Sequence, residues 1–160
     1  VDMGKASLDL SALRLNLPVK EAVNYPLTVG GQEYAVTCVD IGNPHCVVFC
    51  PRVDAVDLNT VGPQFEFADY FPERINTEFI RVVNPSTIKL RTWERGSGET
   101  LSCGSGACAA VVAAVATGQC EKGRDITVKT GGGDLVVNYT DDPALLVGGA
   151  KLVYEGITEY

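Results

Sequence analysis

Cys103 stands directly before Gly104-Ser105-Gly106 in the stretch WERGSGETLSCGSGACAA (residues 93–110), and the apolar run that follows reads as a helix. The first turn of a helix presents N–H groups without intrahelical partners and the positive end of the helix dipole. Both favour an anion, so the position suits either a substrate carboxylate or a thiolate. Gly104 and Gly106 let backbone amides approach a ligand closely, and Ser105 can cap or donate. Upstream stands the charged pair Glu94-Arg95, which can hold a polar substrate or lie solvated at a strand end. A free cysteine is also a small hydrophobe in its own right, so spacing alone leaves both readings open.

Other reactive side chains are sparse. His45 is the single histidine, and six cysteines in 160 residues are too few for a disulfide scaffold. His45, Cys46 and Cys50 have zinc-like spacing, but no second pair of ligands follows, so no metal is expected. GSGET at residues 96–100 lacks the Gly-Lys-Ser/Thr ending of a phosphate loop. Asn43 and Asn76, read singly, are turn formers.

The elements that must position these residues are mostly strands. Alternation and β-branched residues predict strands at 8–17, 34–41, 46–50, 78–83, 87–93, 126–130, 135–139 and 151–154. Gly- and Pro-rich turns separate them. A modest helix is expected over residues 59–70, ending before Pro72. The run 106–117, GACAAVVAAVAT, is small and apolar on every face, so its helix should be buried all round and stop at Gly118. A short apolar helix among many strands predicts an α+β fold, a sheet wrapped around a central helix. No linker or repeat divides the chain, so one domain is expected over residues 1–160.

The net charge of −7 argues against a nucleic-acid partner, whose phosphates need a basic face. The longest apolar run, residues 107–116, is about half a membrane span. The amino end has no signal pattern, so a cytoplasmic protein is expected.

Three blocks together resemble the diaminopimelate epimerase family. WERGSGETLSCGSGACA is similar to that family's second-cysteine motif, DIGNPHCVVF (residues 40–49) to its Gly-Asn-Pro-His segment, and FPERINTEFI (residues 71–80) to its Pro-Glu-Arg-x-Asn-x-Glu-Phe segment. The tail VGGAKLVYEG (residues 147–156) resembles the closing strand, with Gly149 where proline is commoner. The family has two similar domains, each a β-barrel-like sheet around a central helix and each supplying one cysteine. Its first motif, Cys-Gly-Asn-Gly followed by Arg-Cys, does not occur here. The chain is therefore expected to correspond to the second half, inactive alone, with the amino-terminal half as its partner, possible homodimerisation, and an apolar patch where the halves meet.

The resemblance implies a cofactor-independent, two-base epimerisation of LL- and meso-diaminopimelate in lysine and peptidoglycan synthesis, with no pyridoxal phosphate. Cys103 matches one base of a thiol/thiolate pair. Glu94 matches a residue that contacts the substrate ammonium and orients the cysteine, and Arg95 the residue that binds the distal carboxylate. Gly104 and Ser105 match the amides holding the α-carboxylate, and Asn43 and Asn76 match substrate-binding amides. His45 matches the partner of the other half's cysteine. Cys38, Cys46, Cys50, Cys108 and Cys120 read as structural. Two alternatives remain: a related cofactor-independent isomerase of the proline-racemase or phenazine-biosynthesis type, and a non-catalytic binding module. The first lacks the Glu94-Arg95 block or the cysteine pair; the second is tested by whether any chain supplies the other cysteine.

Overall fold

The computed structural model describes residues 1–140 and 143–159. β1 (Tyr25–Val29) and β2 (Gln32–Asp40) form a hairpin across Gly30-Gly31, whose φ values of 58° and 81° suit a two-residue turn. β3 (Pro44–Phe49) returns antiparallel to β2. The helix α1 (Leu58–Glu66) then carries the chain back, so β4 (Asn76–Asn84) lies parallel to β3. β5 (Thr87–Glu94) pairs antiparallel with β4, and the short β6 (Gly98–Thr100) folds back on the end of β5. The helix α2 (Gly104–Ala116) crosses to β7 (Asp125–Thr130), parallel to β5. β8 (Gly133–Tyr139) and β9 (Ala144–Val147) complete the sheet antiparallel. The order across it is β1-β2-β3-β4-β5-β7-β8-β9.

The sheet curls round α2, which packs against β2, β3, β4, β5, β8 and β9. Every residue from Gly106 to Ala114 is buried. Alanine and glycine make this possible, because a helix enclosed by strands has no side on which long side chains could escape. The first residues close the seam. Ser7 and Asp40 exchange two backbone hydrogen bonds, while Met3 N–H donates to Ala144 and Leu146 N–H to Val1. The amino-terminal segment thereby joins the far end of β2 to β9.

A second core lies on the outer face under α1. There Phe65 meets Phe79 and Tyr34 edge-on at 5.6 and 5.0 Å. Gly62 admits the Trp93 indole so closely that a Cβ would stand 2.2 Å from Cδ2. Among the described residues, no helix is long and apolar enough to cross a membrane.

The α+β architecture with a central apolar helix agrees with the expectation, but several elements differ. Residues 8–17 form no strand: a 3₁₀ turn spans Leu10–Ala12, capped by Asp9. Leu8, Leu13, Leu15 and Leu17 nevertheless pack against the two cores, so their alternation reports burial without a ladder. Residues 151–154 also form no strand, because none of the described residues pairs with them in a ladder; Leu152, Val153 and Tyr154 are exposed and Ile157 is 98% exposed. β1, β6 and β9 were not expected from the sequence. The first helix stops at Glu66, with Phe67 as its C-cap and exposed, and residues 68–74 wind on as turns. α2 starts at Gly104, two residues earlier than expected.

Candidate active site

Strand alternation builds a polar end into an apolar barrel. The side chains of β4 that face α2 include Ile80 and Val82, and the same face continues to Glu78 and Asn76. On β3 the inward series is Phe49, Val47 and then His45; on β5 it is Ile88, Leu90, Thr92 and Glu94. β3 and β4 start at the end where β5 finishes. The polar residues therefore gather at one end of the barrel, the end at which α2 begins.

Cys103 is the N-cap of α2, and its Sγ accepts the N–H of Gly106 at 3.3 Å and lies 3.6 Å from Ser105 Oγ. The amides of Gly104 and Ser105 precede the first intrahelical bond, from Ala107 N–H to the Cys103 carbonyl. The thiol is only 7% exposed. Burial raises its pKa, the hydrogen bonds from Ser105 and Gly106 pull it back, and the charges of Glu78 and Glu94 push it up again. The resting group is thus a thiol held where a thiolate would be cradled. β9 closes over the turn: a Cβ on Gly104 would meet Leu146 Cδ2 at 2.9 Å.

His45 and Glu78 are both 0% exposed. His45 Nδ1 lies 2.8 Å from Glu78 Oε1, and Nε2 lies 2.9 Å from Asn43 Oδ1. Glu94 accepts a hydrogen bond from Thr100 at 2.5 Å, so the β6 hairpin holds its carboxylate. Asn76 is spent on the backbone: Nδ2 donates to Pro44 O, and Oδ1 accepts the N–H of Arg95. It braces the Arg95 turn against β3, whatever else it contacts. Buried Glu66 braces the same turn from outside, accepting from Trp93 Nε1 and from Gly96 N–H.

Arg95 donates to Glu73 O and lines a cleft of about 280 Å³ together with Asn43, Arg14, Asp40, Glu73 and Arg74. Cys103 does not line that cleft. Asn43 touches both regions, through His45 on one side and the cleft on the other. Among the larger clefts, those of about 530 and 580 Å³ lie around Cys50 and around Arg124 and are not lined by the thiol. Among the described residues, no group of His, Cys, Asp or Glu could hold a metal ion. His45 faces α2, whereas Cys46 faces the outer core, so the zinc-like spacing does not converge.

The geometry thus places Cys103, Glu94, His45, Gly104 and Ser105 at the start of α2, with Asn43 and Arg95 at the adjoining cleft and Asn76 between them. Sequence reasoning missed Glu78 and Glu66. Glu78 had a signal: an acid at an inward position of a strand that reads NTEFIRVVN.

A profile of the family described as diaminopimelate epimerase matches residues 37–153. The chain belongs to that family. Among curated relatives, the diaminopimelate epimerase of a Cyanothece species is 45% identical over 98% of this chain and 57% of its own length. That of Pelotomaculum thermopropionicum is 44% identical over 100% of this chain and 57% of its own. The chain thus spans somewhat more than half the length of the family members it matches. A solved structure titled a predicted epimerase, from Pseudomonas aeruginosa, is 17% identical over 96% of this chain and 58% of that chain, with a TM-score of 0.49; a likeness this weak adds nothing to the family assignment.

Proposed function

We propose that this chain is the second half of a cofactor-independent epimerase that interconverts LL- and meso-diaminopimelate by two-base proton transfer, with Cys103 as one base. The observation that carries the reading is Cys103 at the N-cap of α2, flanked by acidic groups at the one polar end of the barrel. Inverting a stereocentre requires removal of the α-proton on one face and delivery of another on the opposite face. In one direction Cys103, with its pKa raised, enters as the thiol that delivers and the other half's cysteine as the thiolate that removes; in the other direction the roles swap. With only one of the two bases, this chain alone is inactive.

The α-carbanion needs electrostatic help. The amides of Gly104 and Ser105 and the positive helix end supply it at the substrate α-carboxylate. Glu94 takes the α-ammonium. The cleft beside Arg95 carries arginines and carboxylates together, which suits the ammonium and carboxylate of the substrate's distal end. Exposed Leu152, Val153, Tyr154 and Ile157 support a covering domain in the whole protein.

The test is deuterium incorporation at the α-carbon of diaminopimelate in heavy water. The reduced chain is assayed alone and then with a separately made amino-terminal half. Exchange in the mixture only, abolished by Cys103→Ala, is the expected result. No exchange despite demonstrated association of the halves would leave a binding module.

A further inference from the structure

We propose that Glu78 is the positioning residue for His45: its Oε1 holds the ring by Nδ1, which makes Nε2 the nitrogen that trades a proton at the polar end of the barrel. The proposal deepens the epimerase reading and rests on it for what His45 does in turnover. The proton position that it requires can be read without turnover.

The backbone fixes the pair. β3 and β4 run parallel with His45 beside Asn76 and Val47 beside Glu78, so the ring and the carboxylate are inward neighbours one pleat apart. Both are fully enclosed, and the 2.8 Å contact to Nδ1 is the one hydrogen bond that the Glu78 carboxylate makes among the described residues; its Oε2 has no partner there. A buried acid with a bare oxygen is costly, and an apolar side chain of the same size would serve packing better. What the acid supplies is direction. With Glu78 ionised, its carboxylate only accepts hydrogen bonds, and Nδ1 then carries the proton.

The other ring nitrogen meets Asn43, whose amide has an acceptor on one side and a donor on the other. With its oxygen toward the ring, the amide accepts Nε2–H. Turned by half a revolution, it donates to a bare Nε2. His45 can therefore gain or release a proton at Nε2 and keep both partners in either state. Glu78 stays constant while Asn43 adapts. Asn43 also lines the cleft with Arg95, so the adapting amide lies between the ring and the place where a substrate would sit. Cys103 and Glu94 share this end of the barrel, and Arg14, Asp40, Glu73, Arg74 and Arg95 line the adjoining cleft.

Because His45 is the only histidine of the chain, a nitrogen-15 imidazole spectrum of the labelled protein contains one ring. The expected spectrum has the proton on Nδ1 throughout the neutral range. In Glu78→Leu, which removes the acceptor, the proton moves to Nε2, the nitrogen that a free imidazole prefers. Glu78→Gln, whose amide oxygen can still accept, restores Nδ1–H. A wild-type ring protonated on Nε2 with a bare Nδ1 overturns the proposal, as does an unchanged Glu78→Leu spectrum. If the leucine variant does not fold, the wild-type and glutamine spectra decide between the same two outcomes. Absence of deuterium exchange in the reconstituted enzyme would sink the epimerase reading and leave this spectrum, and the proposal it tests, standing.

Discussion

The carboxylate of Glu78 and the thiol of Cys103 meet over one backbone atom. A Cβ on Gly106 would stand 2.7 Å from Glu78 Oε1 and 3.2 Å from Cys103 Sγ. Glycine is therefore required here for room rather than for φ, and the two ionisable groups are neighbours only because that room exists. Gly106→Ala is expected to force them apart and to cost about 1–3 kcal/mol, the usual penalty of overpacking. Denaturant melts measure the loss; a variant as stable as the parent would show that the approach is looser than described.

Cys103 can be separated into cap and base. Serine is a good N-cap, so Cys103→Ser should keep the fold, with stability within about 1 kcal/mol of the parent. It should also abolish α-deuterium exchange in the reconstituted enzyme. Retained exchange in that variant would remove Cys103 from the chemistry.

The thiol should be slow to react at neutral pH. Burial lifts Cys103 above its ordinary value of 9.0, so alkylation by iodoacetamide, followed by peptide mass spectrometry, should rise only in the alkaline range. Two variants should move the profile in opposite directions. Glu78→Gln deletes a charge that raises the pKa, and shifts the onset to lower pH. Ser105→Ala deletes a hydrogen bond that lowers it, and shifts the onset higher. Shifts of the same sign would contradict the assigned causes.

The structural cysteines predict alkaline instability. Burial raises Cys50 from 9.0 to about 11 and Cys108 from 9.0 to about 12. Between the unfolded and folded values the native state binds more protons than the unfolded one, so stability falls as pH rises. The contribution is complete below pH 9.0 and lost progressively toward 11 and 12. Thermal midpoints taken from neutral to strongly alkaline pH should decline across that window, and Cys108→Ala should flatten the decline. A decline of unchanged steepness in the variant would assign it to other groups.

The turn bearing Arg95 depends on a side chain far from it in sequence. Glu66 joins Trp93 Nε1 at 2.7 Å and Gly96 N–H at 2.9 Å. Glu66→Leu leaves both donors without that acceptor and is expected to cost about 1–3 kcal/mol. In the reconstituted enzyme it should raise KM for diaminopimelate more than it lowers kcat, if Arg95 acts as proposed on the distal end rather than at the reacting carbon. Equal effects on both would place Arg95 nearer the chemistry.

How much was legible follows from what each pattern encodes. The run 106–117 is small and apolar on every face, and that alone predicted a helix enclosed on all sides. Residues 8–17 alternate like a strand because their leucines are buried or half-buried against the cores, but burial and strand pairing are separate facts, and the chain there pairs little. β9 is four residues long and carries no period long enough to read. Asn43 and Arg95 were singled out by the family motifs they sit in; only Cys103, before a glycine-rich helix start, also carried a reading of its own. Glu78 lay within a quoted block yet received no role, since one acid in a strand usually faces water; its alternation with Ile80 and Val82 was a hint, and the strand register shows that it points at α2.

The seam that joins Ser7 to Asp40 and Val1 to Leu146 has a kinetic consequence. The bonds between Val1 and Leu146 bring together positions 145 residues apart, so their loop-closure entropy is among the largest in the fold. The last barrel contact can form only after β9 has found β8, which makes the amino-terminal segment a late arrival in folding. In pulse-labelling hydrogen exchange, the amides of Met3 and Leu146 should gain protection after those of β4 and β5. They should also be the first to lose it on unfolding, when the barrel opens along that line and exposes α2 from the side opposite its neighbours β4 and β5.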